Sequence, residues 1–218
     1  MEIKSIEKIT DQKWLNLYDA LYTNNKGEES HWVYASRKKE IRLNQILRPD
    51  AVVIIPLLKD EDNKNRKLVV TKEFRIPINS YEYGFPAGLI EKKESAVDVA
   101  RRELKEETGL DLTRVFYVGP SCVSSAGLSD ESVVYVVCEC EGKISTEKNE
   151  ASEDISVEIL SHKKLPQWLR IHTIPVVQAG ENVPRAQFIS SKALPFFLMF
   201  QALDRITWPK HMRNFREE

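Results

Sequence analysis

The apolar positions of this chain fall into runs of two kinds. Residues 51–58, Ala-Val-Val-Ile-Ile-Pro-Leu-Leu, are continuously apolar and bounded by polar residues, as expected of a strand buried on both faces. A charged stretch from Lys59 to Lys67 separates it from Leu68–Phe74, which predicts two strands joined as a hairpin. Ser132–Cys140, SVVYVVCEC, is the longest strand signal, with Val115–Val118 before it and Ile155–Leu160 after a loop rich in acids. The helical period appears at residues 96–108. Ser95 is a candidate N-cap with Asp98 three residues on, and Gly109 stands where a left-handed stop is needed, so a helix is predicted from Ala96 to Thr108. At about 100° per residue, Ala96, Val97, Ala100 and Leu104 share one arc, Asp98, Arg101 and Lys105 lie opposite, and Glu103, Glu106 and Glu107 fill an adjoining arc.

Two further helices are expected near Lys164–Arg170 and Lys192–Leu203, flanking a polar loop. Residues 1–48 predict two strands, around Trp14–Tyr18 and His31–Ala35, with turn residues Thr23–Gly27 between them. So small a piece cannot bury both sides of a sheet alone. The chain is therefore divided into 1–48, N-terminal strands, and 49–218, the main domain. Strands punctuated by helices argue for a mixed sheet covered by helices on both faces, an α/β fold.

Composition narrows the function. A chain of 218 residues with 42% hydrophobic residues furnishes one substantial core, and a net charge of −1 with interspersed signs offers no footprint for nucleic acid or an acidic membrane. A small-molecule substrate fits better. The opening MEIKSIEKITDQKW has no apolar h-region and the apolar runs are too short to span a bilayer, so a cytoplasmic location is expected. Cys138 and Cys140 alternate along one strand and point the same way; with no CxxC or adjacent His they read as a reduced, partly buried pair rather than a disulfide or zinc site.

Three carboxylates on one helical edge repel one another, a cost that divalent cations such as Mg²⁺ or Mn²⁺ between them would relieve. A solvated charged face is the alternative on the helix alone. The full spacing decides between them. Gly88, five residues, Glu94, seven residues, then Arg102-Glu103-Leu104-Lys105-Glu106-Glu107-Thr108-Gly109-Leu110 resembles an unbroken Nudix box, G-x5-E-x7-R-E-U-x-E-E-x-G-U, in which U is aliphatic. A chance match to all these positions somewhere in a chain this long has a probability on the order of 10⁻⁷.

The resemblance extends over most of the chain and is to the ADP-ribose/ADP-sugar pyrophosphatase subfamily. Trp14 and Trp32, Arg37 five residues after Trp32, Glu73-Phe74-Arg75, Phe85-Pro86-Ala87-Gly88 and Gly127-Leu128-Ser129-Asp130-Glu131 carry it. It implies an α/β/α Nudix sandwich, with N-terminal strands that cross to the partner of a homodimer. It also implies metal-dependent hydrolysis of a nucleoside diphosphate sugar, with ADP-ribose giving AMP and ribose 5-phosphate. GDP-mannose or another nucleotide sugar is an alternative substrate, and a catalytically silent nucleotide-sensing module is an alternative role.

By the same resemblance, Glu103, Glu106 and Glu107 bind metal with the carbonyl of Ala87, Arg102 and Glu94 orient the cluster, and Glu153, with Glu150 in reserve, is the general base. Trp14 and Trp32 would sandwich a base, and Arg37 and Arg75 would bind diphosphate or ribose. The chain departs from the subfamily pattern at Ala126, where proline is usual, at Gly84, where an acid is usual, and at Val33, which has no polar group to read a base edge.

Overall fold

The structure, a computed structural model, describes residues 1–43, 48–59, 66–91, 93–172 and 187–202. It divides into two compact units, residues 1–51 with 121–133, and residues 52–120 with 134–218.

The first unit is built on an antiparallel sheet of three strands in the order β1 (Glu2–Lys8), β2 (Asn16–Thr23), β3 (Glu29–Ser36). Two strands were expected; β1 is the addition. Its side chains are almost all exposed, so it shows no apolar alternation to read. Trp14 precedes β2 instead of lying in it. The Asn16 side chain accepts from the Gln12 N–H at 2.6 Å and donates to the Gln12 carbonyl at 2.9 Å, which folds residues 12–15 into a bend. The turn at Thr23–Gly27 is as predicted: Asn24 Oδ1 accepts from the amides of Lys26 and Glu28, and Gly27 takes a φ of 82°. Tyr18 stands opposite Tyr34, and Ala20 opposite Trp32. Residues 128–130 run beside the end of β3, with the Ala35 N–H donating to the Leu128 carbonyl at 2.8 Å and Lys38 paired to Asp130 at 2.8 Å.

The second sheet has eight strands among the described residues: β4 (Ala51–Lys59), β5 (Arg66–Arg75), β6 (Ser80–Gly84), β7 (Ala87–Leu89), β8 (Asp111–Val123), β9 (Ser132–Glu141), β10 (Ile155–Leu160) and β11 (Gln187–Ile189). The order is β11-β6-β5-β4-β9-β8, with β10 on β5 and β7 on β4. β11 runs parallel to β6, whereas β5 is antiparallel to β4, β6 and β10, so the sheet is mixed.

Strand alternation sends side chains to two cores. On one face Val52, Ile54, Val134, Val136, Cys138 and Cys140 pack against Val99, Ala100 and Leu104 of α1 (Ala96–Thr108). On the other, aromatic side chains meet α2 (Leu165–His172) and α3 (Leu194–Ala202): Tyr83 with Trp168 at 4.8 Å, Phe85 with Phe197 at 5.3 Å, Tyr135 with Phe196 at 5.1 Å between centroids. This is the helix–sheet–helix layering expected from the sequence. Leu203, at the predicted end of the last helix, lies outside the described residues.

Candidate active site

α1 begins and ends where its caps dictate. The Ser95 hydroxyl accepts from the Asp98 amide while the Asp98 carboxylate accepts from the Ser95 amide, and Gly109 closes the helix at φ 76°. The buried face is rotated from the one expected. Val99, Ala100, Leu104, Glu107 and Thr108 are buried, whereas Val97 is only partly so. Glu103 and Glu107 therefore lie within the buried face, between Val99 and Ala100, and not beside it. The helix is turned so that two acids enter the protein.

Glu107 is 6% exposed, and its Oε1 accepts the Ala87 N–H at 3.3 Å. Burial is the main cause holding its proton affinity well above the usual carboxylate range, with Glu103, Glu73 and Glu153 adding repulsion and the Ala87 amide opposing. Glu103 is raised chiefly by burial too, against the pull of Arg102. A Cβ at Gly88 would overlap the Glu103 carboxylate, so any larger residue there would force that side chain to turn away.

Arg102 is the hub. Its Nε and Nη2 donate to the two oxygens of Glu94, both at 3.1 Å, and its Nη1 donates to Glu103 at 2.6 Å and Glu106 at 3.3 Å. The bidentate pair with Glu94 fixes the guanidinium plane, and that plane sets the direction of two box acids. Glu94 is itself held by the Glu91 amide at 3.1 Å.

Glu73 belongs to this cluster and was not among the candidates read from the sequence. It is raised by burial first, with Arg75 opposing and Glu153 and Glu82 repelling. Glu73 on β5 stands opposite Glu82 on β6, and Arg75 bridges them, donating to Glu73 at 2.6 Å and to Glu82 at 3.3 Å. Glu73 falls outside the box, in a strand where one acid among alternating residues carries no spacing signal. Arg75 is thus committed to two carboxylates in this state.

Glu153 sits in the loop before β10. Its charge adds repulsion to Glu73, Glu103 and Glu107. The Glu150 N–H donates to Glu153 Oε2 at 2.9 Å, so the reserve candidate supports the first one.

The other candidates lie in the first unit. Trp14 is 69% exposed, with the Lys13 ammonium 4.3 Å from its ring centroid, and Trp32 is 51% exposed on β3. Arg37 pairs with Glu131 at 3.6 Å. Strand alternation puts Val33 on the opposite face of β3 from Trp32.

The donor set suits a hard divalent cation: several carboxylates, two of them raised by burial and mutual repulsion, with one guanidinium among them. Among the described residues no three acids already converge as a ligand set, because Glu103 and Glu106 are turned to Arg102 and Glu107 to the Ala87 amide.

Comparison with known proteins agrees with the geometry. Residues 47–183 match the NUDIX domain model. The chain belongs to the Nudix family and is a Nudix hydrolase. It is 28% identical over 167 residues to an ADP-ribose pyrophosphatase of Saccharomyces cerevisiae, covering 73% of this chain and 70% of that protein. It is 33% identical over 169 residues to an ADP-ribose pyrophosphatase of Bacillus subtilis, covering 73% of this chain and 78% of the relative. The crystal structure of an ADP compounds hydrolase superposes with a TM-score of 0.57 at 18% identity, covering 77% of this chain and 82% of that one, a likeness of fold.

Proposed function

We propose that this Nudix hydrolase cleaves the diphosphate of a nucleoside diphosphate sugar, ADP-ribose above all, to AMP and ribose 5-phosphate, with Mg²⁺ as cofactor and Mn²⁺ able to replace it. The observation that carries the reading is the pair of box acids on the inward face of α1, Glu107 buried against the Ala87 amide and Glu103 partly buried and bonded to Arg102. The yeast and Bacillus relatives support the substrate.

Glu103, Glu106, Glu107 and the Ala87 carbonyl would hold the metal. Once bound, it neutralises charge on the diphosphate oxygens and lowers the pKa of water. Glu153 takes the proton of the attacking water as the new phosphorus–oxygen bond forms. The bridging oxygen leaves with its electron pair on the other phosphate. Arg102 and Glu94 keep the acids in place without touching substrate. Arg75 and Arg37 bind diphosphate or ribose, and Trp14 and Trp32 stack on the base.

We infer further that the protein is a homodimer, with the N-terminal sheet crossing to the partner. Ile3, Leu17 and Val33 of that sheet are each about half exposed, which leaves apolar area that a second subunit would cover. A location in the cytoplasm is part of the proposal; among the described residues no helix is long and apolar enough to cross a membrane.

Purified protein with Mg²⁺, assayed against ADP-ribose, ADP-glucose, GDP-mannose, NADH and dinucleoside polyphosphates, tests the reading. Turnover with ADP-ribose preferred is the expected result. Preference for GDP-mannose would overturn the substrate, and binding without turnover would make the chain a nucleotide-sensing module.

A further inference from the structure

The loop that carries Glu153 is stitched to the sheet through the residue that follows it. The Asp154 carbonyl accepts from the Phe74 amide at 3.0 Å, which continues the pairing of β10 with β5 by one residue. The Asp154 carboxylate accepts from the Tyr81 hydroxyl at 2.6 Å, a short charge-assisted bond from β6.

Tyr81 is well placed to hold it. The residue stands directly opposite Phe74 in the β5–β6 pairing, their rings meet edge to face at 5.4 Å, and the Lys72 ammonium lies 4.7 Å from the Tyr81 centroid. The ring is thereby oriented by two side chains of β5 before its hydroxyl reaches across to Asp154. Within the loop, Glu150 and Glu153 exchange bonds, Glu153 N–H to the Glu150 carbonyl at 2.9 Å and Glu150 N–H to the Glu153 carboxylate at 2.9 Å. The turn is therefore closed on itself and is tied down at Asp154, with the Asn149 side chain donating to the Ile155 carbonyl at 3.4 Å.

From these contacts we infer that Tyr81 and Asp154 form a latch that positions Glu153 against the box carboxylates. Tyr81 acts through Asp154 and is a positioning residue, not a catalytic one. The inference rests on the reading of Glu153 as the base. Loosening the latch frees the loop at Asp154 and with it the neighbouring Glu153, which slows the chemical step and leaves the binding of the base and diphosphate alone.

Tyr81→Phe is the test, since it keeps the ring packed on Phe74 and beneath Lys72 and removes only the hydroxyl. With ADP-ribose and saturating Mg²⁺, kcat is expected to fall about fivefold, as for loss of one charge-assisted bond at a partly exposed site. KM should stay within about twofold and Tm should be nearly unchanged. Tyr81→Phe combined with Asp154→Ala should be no slower than Asp154→Ala alone, and Asp154→Asn, which keeps an acceptor, should recover most of the rate lost in Asp154→Ala.

Glu153→Gln is measured alongside. If Glu153→Gln is nearly inactive while Tyr81→Phe keeps full kcat, the latch is wrong and the base stands. If Glu153→Gln itself keeps its rate, the base is wrong and the latch falls with it. Equal changes in kcat and Tm across all Tyr81 and Asp154 variants would mark a purely structural role and also overturn the latch.

Discussion

Gly88 and Glu103 occupy space that only one side chain can fill: a Cβ on Gly88 would overlap Oε1, Cδ and Cγ of Glu103. The first glycine of the box therefore leaves room for the carboxylate fifteen residues later. Gly88→Ala should push the Glu103 carboxylate off Arg102 Nη1, to which it is bonded at 2.6 Å. Because the displaced group is the end of a flexible side chain, the loss of stability should stay under about 2 kcal/mol, while kcat should fall by about two orders of magnitude. Thermal unfolding and steady-state kinetics on one preparation check both halves. A variant with unchanged kcat would free Glu103 from the site.

Glu107 allows a test in which activity and stability move oppositely. Glu107→Gln keeps an oxygen for the Ala87 amide and removes a buried charge. Turnover should drop by more than about tenfold, or 1.4 kcal/mol in the barrier, with the nucleotide still bound. In EDTA the variant should nonetheless be the more stable protein at pH 8. The carboxyl is raised above its ordinary value of 4.5 by burial. Its contribution to wild-type stability is thus present at low pH, where it is protonated, and is lost as pH rises through the raised value. Glutamine has no proton to lose, so the gap in Tm should widen from pH 5 to pH 8 and close when Mg²⁺ is added to the wild type. A gap that shrinks with rising pH would contradict the sign.

Arg75 lies between two acids that face each other across strands, an arrangement that costs energy without the cation. Arg75→Ala should destabilise the fold by about 1 kcal/mol through that repulsion alone and raise KM as well. Arg75→Ala combined with Glu73→Gln should recover the stability and not the KM. Recovery of both by the double variant would remove Arg75 from substrate binding.

Much of this site was legible because its determinants are local. Ser95, Asp98 and Gly109 specify the ends of α1 from side chains within a few residues, and the box fixes its members by spacing over residues 88–110, most of them on that helix. The rotation of α1 was not legible. Which arc is buried depends on strands β4 and β9 arriving from elsewhere in the chain, and the two inward-facing acids, Glu107 buried and Glu103 partly so, look polar in any periodicity count. Glu73 and Tyr81 were hidden for a related reason: Glu82 comes opposite Glu73, and Asp154, 73 residues on, within reach of Tyr81, only through the pairing of β5 with β6 and β10. β1 escaped because an edge strand with exposed charged residues shows no alternation, the composition that also discourages stray pairing.

The N-terminal sheet should be indispensable. Removing residues 1–40 takes away Lys38, which lies within reach of both Asp130 and Asp50, and the Ala35 backbone that accepts and donates to residues 128–130. The truncated protein should be poorly soluble or inactive and should lose the dimer, read by size-exclusion chromatography with light scattering. A monomeric truncation with full activity would refute the crossed dimer.

The tryptophans decide whether the likeness to ADP-ribose pyrophosphatases extends to base recognition. Trp14 and Trp32 are 69% and 51% exposed, far more than core residues of their size, so neither is held in place by burial within the protomer. If they stack on a base, each change to alanine should cost about 1–3 kcal/mol of binding, seen chiefly as a raised KM. A ribose 5-phosphate diphosphate analogue without a base should be indifferent to both changes. Val33 has no polar group, and on β3 it faces away from Trp32; Gly84 has no side chain to offer. Stacking without such hydrogen bonds tolerates guanine, so ADP- and GDP-linked sugars should differ by less than about a hundredfold in kcat/KM, since stronger rejection needs unpaired buried polar groups. Nucleotide binding should also quench the tryptophan fluorescence of the wild type, and less so in either variant. Should both alanine variants retain the wild-type KM for every nucleotide sugar, the two rings belong to the subunit interface and the base is held elsewhere.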